Sequence, residues 1–253
     1  MIHTFATMGT VASLRLHGDT PSPIVERIEA VFADADERFS LYRPDSEASR
    51  IARHDIALSD ASTTMRDMYA LALDWRAVTS GVFTPHRSDG FIDLAGVVKA
   101  AAIDAAGTIL DETGIEDWLL NAGGDILSRG SDHGAPWRVG IVDPVDRDRL
   151  LTSVELTGDR RAIATSGIGE RGEHVWRRNE FPTDADPVQV TVLAAHILTA
   201  DVWATAILAG GTPALDDATD RFDLDVLCCD RTGALLVTQG LRARITDPAT
   251  VQC

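Results

Sequence analysis

Lysine is nearly missing from this chain: 253 residues carry 23 Lys and Arg between them, and Lys99 is the only lysine. Cysteine is scarce as well, with Cys228 and Cys229 adjacent and the third at the last position, a spacing that suits neither a disulfide framework nor a metal-ligand set. No apolar run is long enough to span a bilayer. The first residues lack a basic stretch followed by an apolar one, so a cytoplasmic protein is expected. Positive charge is outweighed throughout: 39 Asp and Glu leave a formal charge of -16, which repels phosphate and argues against nucleic-acid or membrane partners. Any phosphate ligand would then need local help from a cation, basic side chains or a helix N-terminus.

What is present reads as one globular α+β chain. Alternation after Gly9 predicts a strand, and helical spacing predicts helices over Pro23 to Phe39, Met65 to Ser80 and Val97 to Thr113. Short β-branched segments near 118–120, 126–127, 137–141, 151–156, 161–164 and 188–193 predict strands. A helix from about Ala200 to Leu208 and a final hairpin around Asp230-Arg231-Thr232-Gly233 complete the pattern. Helices and strands intermix without a βαβ repeat, and no linker cuts the chain. The longest irregular stretch runs from Arg171 to Pro187.

Several segments carry chemistry. Asp201 and Thr205 fall one turn apart, stacking a carboxylate and a hydroxyl on one helix face, and two oxygen donors suit a hard cation such as Mg²⁺. An Asp complementing the helix dipole and a Thr bonding back to its own helix are the competing explanation. In Asp93-Leu94-Ala95-Gly96-Val97-Val98-Lys99 a helix start beside the sole ammonium outlines an anion pocket, against the alternative of a capping Asp and a solvated Lys. Asn121-Ala122-Gly123-Gly124-Asp125 is a tight glycine turn that also lets a planar ligand approach the backbone. Ala164-Thr165-Ser166-Gly167 lacks the glycine two before Ser166 that a nucleophile elbow needs, which disfavours a serine hydrolase. His174, in a polar loop, is a group able to move a proton near neutral pH.

In order along the chain, Met8-Gly9-Thr10, Phe39 to Glu47, Asp93 to Lys99, Asn121 to Asp125, Trp137 to Pro144, Ala164 to Gly167 and Ala200 to Thr205 resemble the ApbE family of FAD:protein FMN transferases. The resemblance implies an α+β fold, a single T-fold-like domain over residues 1–253 with a mixed, mainly antiparallel sheet and packed helices. It implies Mg²⁺-dependent transfer of FMN from FAD to a Thr or Ser hydroxyl of an acceptor flavoprotein, with AMP leaving. By matching motif positions, Met8, Tyr42, Val82, Phe83, Thr84, Asp93, Lys99 and Asp125 would bind FAD. Asp201 and Thr205 would hold the metal through side chains and Gly96 and Ala204 through backbone oxygens, with His174 assisting proton removal from the acceptor. This chain departs from the family after His174, where Val175-Trp176-Arg177 replaces an Ile-Asp-Pro, and Thr84, Ala95 and Ala100 stand where Asp, Gly and Gly are common. Those departures keep a second expectation open: a family member that binds FAD without transferring it, or that hydrolyses it slowly to FMN and AMP.

Overall fold

The computed structural model describes residues 2–18, 22–168 and 183–246. The chain divides into two compact units, residues 1–123 and 124–253.

The first unit begins with two strands, β1 (Ile2–Thr7) and β2 (Thr10–Leu16), paired antiparallel from Ile2↔Arg15 to Thr7↔Thr10. Their turn has positive φ at both central residues, 46° at Met8 and 72° at Gly9, the backbone of the hairpin turn whose twist matches its strands. Helix α1 (Ser22–Phe39) follows, then α2 (Glu47–Ala52), α3 (Thr63–Val78), α4 (Ala95–Glu112) and strand β3 (Trp118–Ala122), antiparallel to β2. Helix α1 turns Ile28 and Phe32 inward, α4 contributes Val97, Ile103 and Leu110, and the strands add Leu14, Trp118 and Leu120. Each such side chain gains about 1.5–3 kcal/mol on leaving water, so this shared interior holds the helices on the sheet. Phe5 meets Phe32 edge-on at 5.4 Å, and the Trp118 ring N–H donates to Asp111 at 3.1 Å, satisfying its one polar atom.

The second unit contains β4 (Asp125–Arg129), the ribbon of β5 (Trp137–Val142) and β6 (Leu150–Leu156), then β7 (Ala162–Gly167) and β8 (Pro187–Ala194). Helices α5 (Ile197–Gly210) and α6 (Thr212–Arg221), strands β9 (Asp225–Asp230) and β10 (Leu235–Val237) and helix α7 (Gln239–Arg242) complete it. Within this unit the strand order is β4-β7-β8-β9-β10 with antiparallel neighbours, and β5 pairs antiparallel with β6. Every residue of β8 is buried, as expected of a strand with paired neighbours on both edges and α5 packed across it.

The α+β architecture and its antiparallel sheet agree with the expectation from sequence. One boundary differs in a way that matters, and four elements were not expected. Helix α5 starts at Ile197 instead of Ala200, because it is apolar nearly all round and its amphipathic period is too weak to mark its ends. Strand β1 and helices α2 and α7 are too short for the sequence reading to find, and α6 begins at a Gly-Gly-Thr-Pro run that reads as a break. The irregular stretch expected from Arg171 lies for the most part outside the described residues.

Candidate functional site

In the first unit, the loop between α1 and α2 is tied down by serines. The Ser40 carbonyl accepts from the Ser46 and Ser49 hydroxyls, and the Ser46 hydroxyl in turn caps α2 by accepting from the Ser49 N–H at 2.9 Å. The ring this loop carries, Tyr42, is 87% exposed. A rigidly mounted aromatic with an open face is suited to stacking on a planar ligand. Glu47 extends the mount. Its carboxylate accepts the Ser62 N–H at 2.5 Å and the Ser62 hydroxyl at 2.7 Å, linking α2 to the start of α3. Burial pushes Glu47 upward, but the two Ser62 bonds and then Arg38 outweigh it and hold the acid below the usual carboxylate range.

The expected contacts Val82, Phe83 and Thr84 follow the end of α3. There the Thr79 hydroxyl donates to the Trp75 carbonyl at 2.8 Å and accepts the Phe83 N–H at 3.1 Å, so the cap of one helix positions this segment. A short antiparallel contact, His86 opposite Ile92, folds the chain back until the Asp93 N–H reaches the Pro85 carbonyl at 2.8 Å. Thr84 and Asp93 are thereby brought to the two arms of one small loop. The Asp93 carboxylate then accepts the Ala95 N–H at 3.0 Å, closing the start of α4. Gly96 lies directly under Phe83, and a Cβ there would stand 2.7 Å from the ring's Cε2.

Arg87, which sequence reasoning did not single out, grips Asp89 at 2.8 Å and approaches Asp93 at 3.8 Å. The hydrogen bonds to Asp89 hold its guanidinium above its ordinary value against burial, with weaker help from Asp93 and Tyr42. Lys99 is 7% exposed on α4, so the solvated lysine of the alternative explanation is not what the fold contains; nor is Asp93 the cap residue, since Leu94 holds that position and Asp93 bonds the Ala95 N–H from one residue before it. A buried ammonium is tolerated only where charge or hydrogen-bond partners are at hand. Met8 sits elsewhere in the unit, at the β1–β2 tip. Through β2 that tip lies beside Gly123, where a Cβ would stand 2.8 Å from the Thr10 hydroxyl.

In the second unit, Asp125 opens β4 fully buried, and its Oδ1 accepts the Thr165 N–H of β7 at 3.2 Å. Asp201, Ala204 and Thr205 lie on α5, which packs on β7 and β8. Asp201 is 6% exposed and stands in the second turn of α5. Because α5 starts at Ile197 and not near Ala200, the dipole explanation is corrected, since that effect fades beyond the first turn. Thr205 is not bonded back to its own helix: its hydroxyl meets that of Ser166 on β7 at 3.0 Å. Both bland explanations for the pair fail on these placements. A buried carboxylate and a hydroxyl one turn apart offer hard oxygen donors to a divalent cation, and the residues present fit Mg²⁺ in kind. Gly96 and Ala204 are both helical residues, each offering a backbone carbonyl and no polar side chain. His174 lies outside the described residues.

The sequence pattern of the ApbE family matches residues 8–89 and 84–228. The chain belongs to the ApbE family. Among relatives of the ApbE chain, a Salmonella typhimurium protein named FAD:protein FMN transferase is 32% identical over 156 residues, 57% of this chain and 44% of that protein. The chain thus matches less than half the length of that relative. A Haemophilus influenzae protein of the same name is 21% identical over 305 residues, 94% of this chain and 88% of that protein. Among solved structures, the flavin transferase ApbE of Vibrio cholerae superimposes with a TM-score of 0.77 at 23% identity, covering 96% of this chain and 98% of that one. The ApbE protein of Thermotoga maritima gives 0.80 at 19% identity, covering 98% and 99%. These superpositions show the fold. The family match contains every candidate site residue placed above, while β1, β10 and α7 lie outside it. Its two segments meet at residues 84–89, within the small loop that joins Thr84 to Asp93.

Proposed function

We propose that this protein is an FAD:protein FMN transferase that moves FMN from FAD to a Thr or Ser hydroxyl of an acceptor flavoprotein and releases AMP, with residues 1–253 acting as one transferase domain. The observation that carries the reading is α5 within the family match, where buried Asp201 and half-buried Thr205 present two oxygens on one face. When bound there, Mg²⁺ would neutralise charge on the FAD diphosphate as the bridging oxygen departs. The chain's own residues have separate tasks. Asp201 and Thr205 hold the cation, with Gly96 and Ala204 as backbone donors. Tyr42, on its serine-pinned loop, stacks on a ring of FAD, and Met8, Val82, Phe83, Thr84, Asp93 and Asp125 shape its binding. Lys99 supplies the ammonium that an otherwise acidic protein needs beside a diphosphate. His174 removes the proton from the acceptor hydroxyl.

Incubation with FAD, Mg²⁺ and an acceptor flavoprotein bearing the family's Thr or Ser target, followed by intact mass measurement, tests the reading. An acceptor mass raised by one FMN supports it; unmodified acceptors throughout, with no Mg²⁺-dependent AMP released, sink it. Asp201→Ala is expected to abolish transfer, lowering the rate by at least about a hundredfold, since it removes the one charged ligand. A second reading, FAD binding with slow hydrolysis to FMN and AMP, is favoured by the segment after His174, which departs from the family's Ile-Asp-Pro. AMP release with an unmodified acceptor distinguishes it.

A further inference from the structure

The Thr205 hydroxyl has one proton and two lone pairs, and the partner given to it among the described residues is Ser166 Oγ at 3.0 Å. A threonine inside a helix ordinarily turns its proton back onto the carbonyl one turn earlier, here that of Asp201. On α5 it reaches across to the sheet instead.

Ser166 is held for that contact from several sides. On β7, Thr165 pairs with Thr191 of β8 and Ser166 with Val190, so adjacent side chains alternate between the two faces and Ser166 takes the α5 side. On the other face the Thr165 hydroxyl meets that of Thr191 at 2.9 Å, and its N–H is taken by buried Asp125 at 3.2 Å. The end of β7 is thus fixed by bonds that do not involve Ser166, leaving its hydroxyl to serve Thr205.

We propose that Ser166 is a positioning residue for the metal-binding hydroxyl: it accepts the Thr205 proton and so turns a Thr205 lone pair toward the cation. The inference rests on the reading of Asp201 and Thr205 as ligands. Without a cation either hydroxyl can be the donor. With a cation on Thr205 Oγ1, electrostatic repulsion forces that proton to point away from the ion, and Ser166 Oγ is the acceptor already in place. Ser166 then becomes the acceptor of the pair, and its own proton is free to turn outward. Removing it lets the Thr205 proton fall back onto the helix carbonyl, which swings the lone pairs off the axis that the cation needs. A serine outside the ligand set thereby controls how well the ligand set binds. Outer partners of this kind typically govern metal affinity by about 10–100-fold.

The test titrates Mn²⁺, followed by electron paramagnetic resonance in the presence of saturating FAD, into wild type, Ser166→Ala and Ser166→Thr, with thermal melts recorded in parallel. Ser166→Ala is expected to weaken Mn²⁺ binding by about tenfold or more and to shrink the Mn²⁺-induced rise in melting temperature, while the metal-free melt stays near that of wild type. Ser166→Thr keeps the hydroxyl and is expected to bind within about threefold of wild type. Equal Mn²⁺ affinity in wild type and Ser166→Ala overturns the proposal, as does a threonine variant as weak as the alanine one. Failure of wild type itself to bind Mn²⁺ is a separate result: it removes the ligand assignment of Asp201 and Thr205, and this inference with it.

Discussion

Single atoms decide most of what this site can do. Gly96 is the clearest case, because a methyl group there would press to 2.7 Å on Phe83, a ring 5% exposed whose own N–H is anchored to Thr79. Neither the ring nor the first turn of α4 can retreat without cost. Gly96→Ala is therefore expected to destabilise the protein by about 1–3 kcal/mol, visible in urea unfolding, and to weaken FAD binding in a fluorescence titration. Lys99 and Thr205 teach the complementary lesson. Their residue types were legible in the sequence, yet whether the lysine is solvated or buried, and whether the threonine bonds to its helix or to a strand, depends on neighbours remote in the chain. Ser166 was legible only as a serine that fails the nucleophile-elbow pattern; its role as the partner of Thr205 appears once β7 and α5 are packed. Arg87 gave no signal at all, since an arginine two residues before an aspartate reads as a solvated surface charge.

At the scale of elements, periodicity found what is long or strongly patterned. The three helices expected in the first half are present within about two residues at each end, the ordinary uncertainty of helix termini. The Asp230 turn was legible for a local reason: its carboxylate accepts the Thr232 and Ala234 N–H groups at 2.8 and 2.9 Å, chemistry that five consecutive residues specify unaided. Helix α6 was not, because Gly210-Gly211-Thr212-Pro213 reads as a breaker although proline is well tolerated at a helix's first positions. Strand β8 was found as an apolar run, and the fold explains its composition: all eight residues are buried between paired neighbours. Its amides are released only by opening of the sheet on both sides. In native-state hydrogen exchange the β8 amides are expected to be the slowest of the second unit, exchanging with the free energy of global unfolding, whereas those of three-residue β10 exchange earlier.

The whole molecule carries its acidity in organised form. Arg149 holds Asp143 below the usual carboxylate range, Arg160 does the same for Asp223, and the hydroxyl and amides of the Asp230 turn hold that residue down. A carboxyl with a depressed folded value contributes stability that is present above its unfolded value, near 3.8 for Asp, and is lost as pH falls toward the folded one. The opposite edge belongs to the cysteines. Burial and then Cys229 push the Cys228 thiol up to about 12 from an ordinary 9.0, so the stability it contributes is intact below 9.0 and is lost as pH rises from there toward the folded value. Melting temperature is accordingly expected to hold level from about pH 5 to pH 8, to fall below about pH 4 and to decline again above about pH 9. A steady decline across the neutral range would show that self-repulsion of the net charge of -16, and not these pairs, governs stability.

The burial of Lys99 has one more outcome. Reactions that seek a primary amine on a side chain, whether acylation by a metabolic thioester, conjugation to a degradation tag or coupling to an activated-ester dye, find the sequence's single lysine withdrawn into α4. The described surface is cationic only through guanidinium, and is closed to that whole branch of covalent modification.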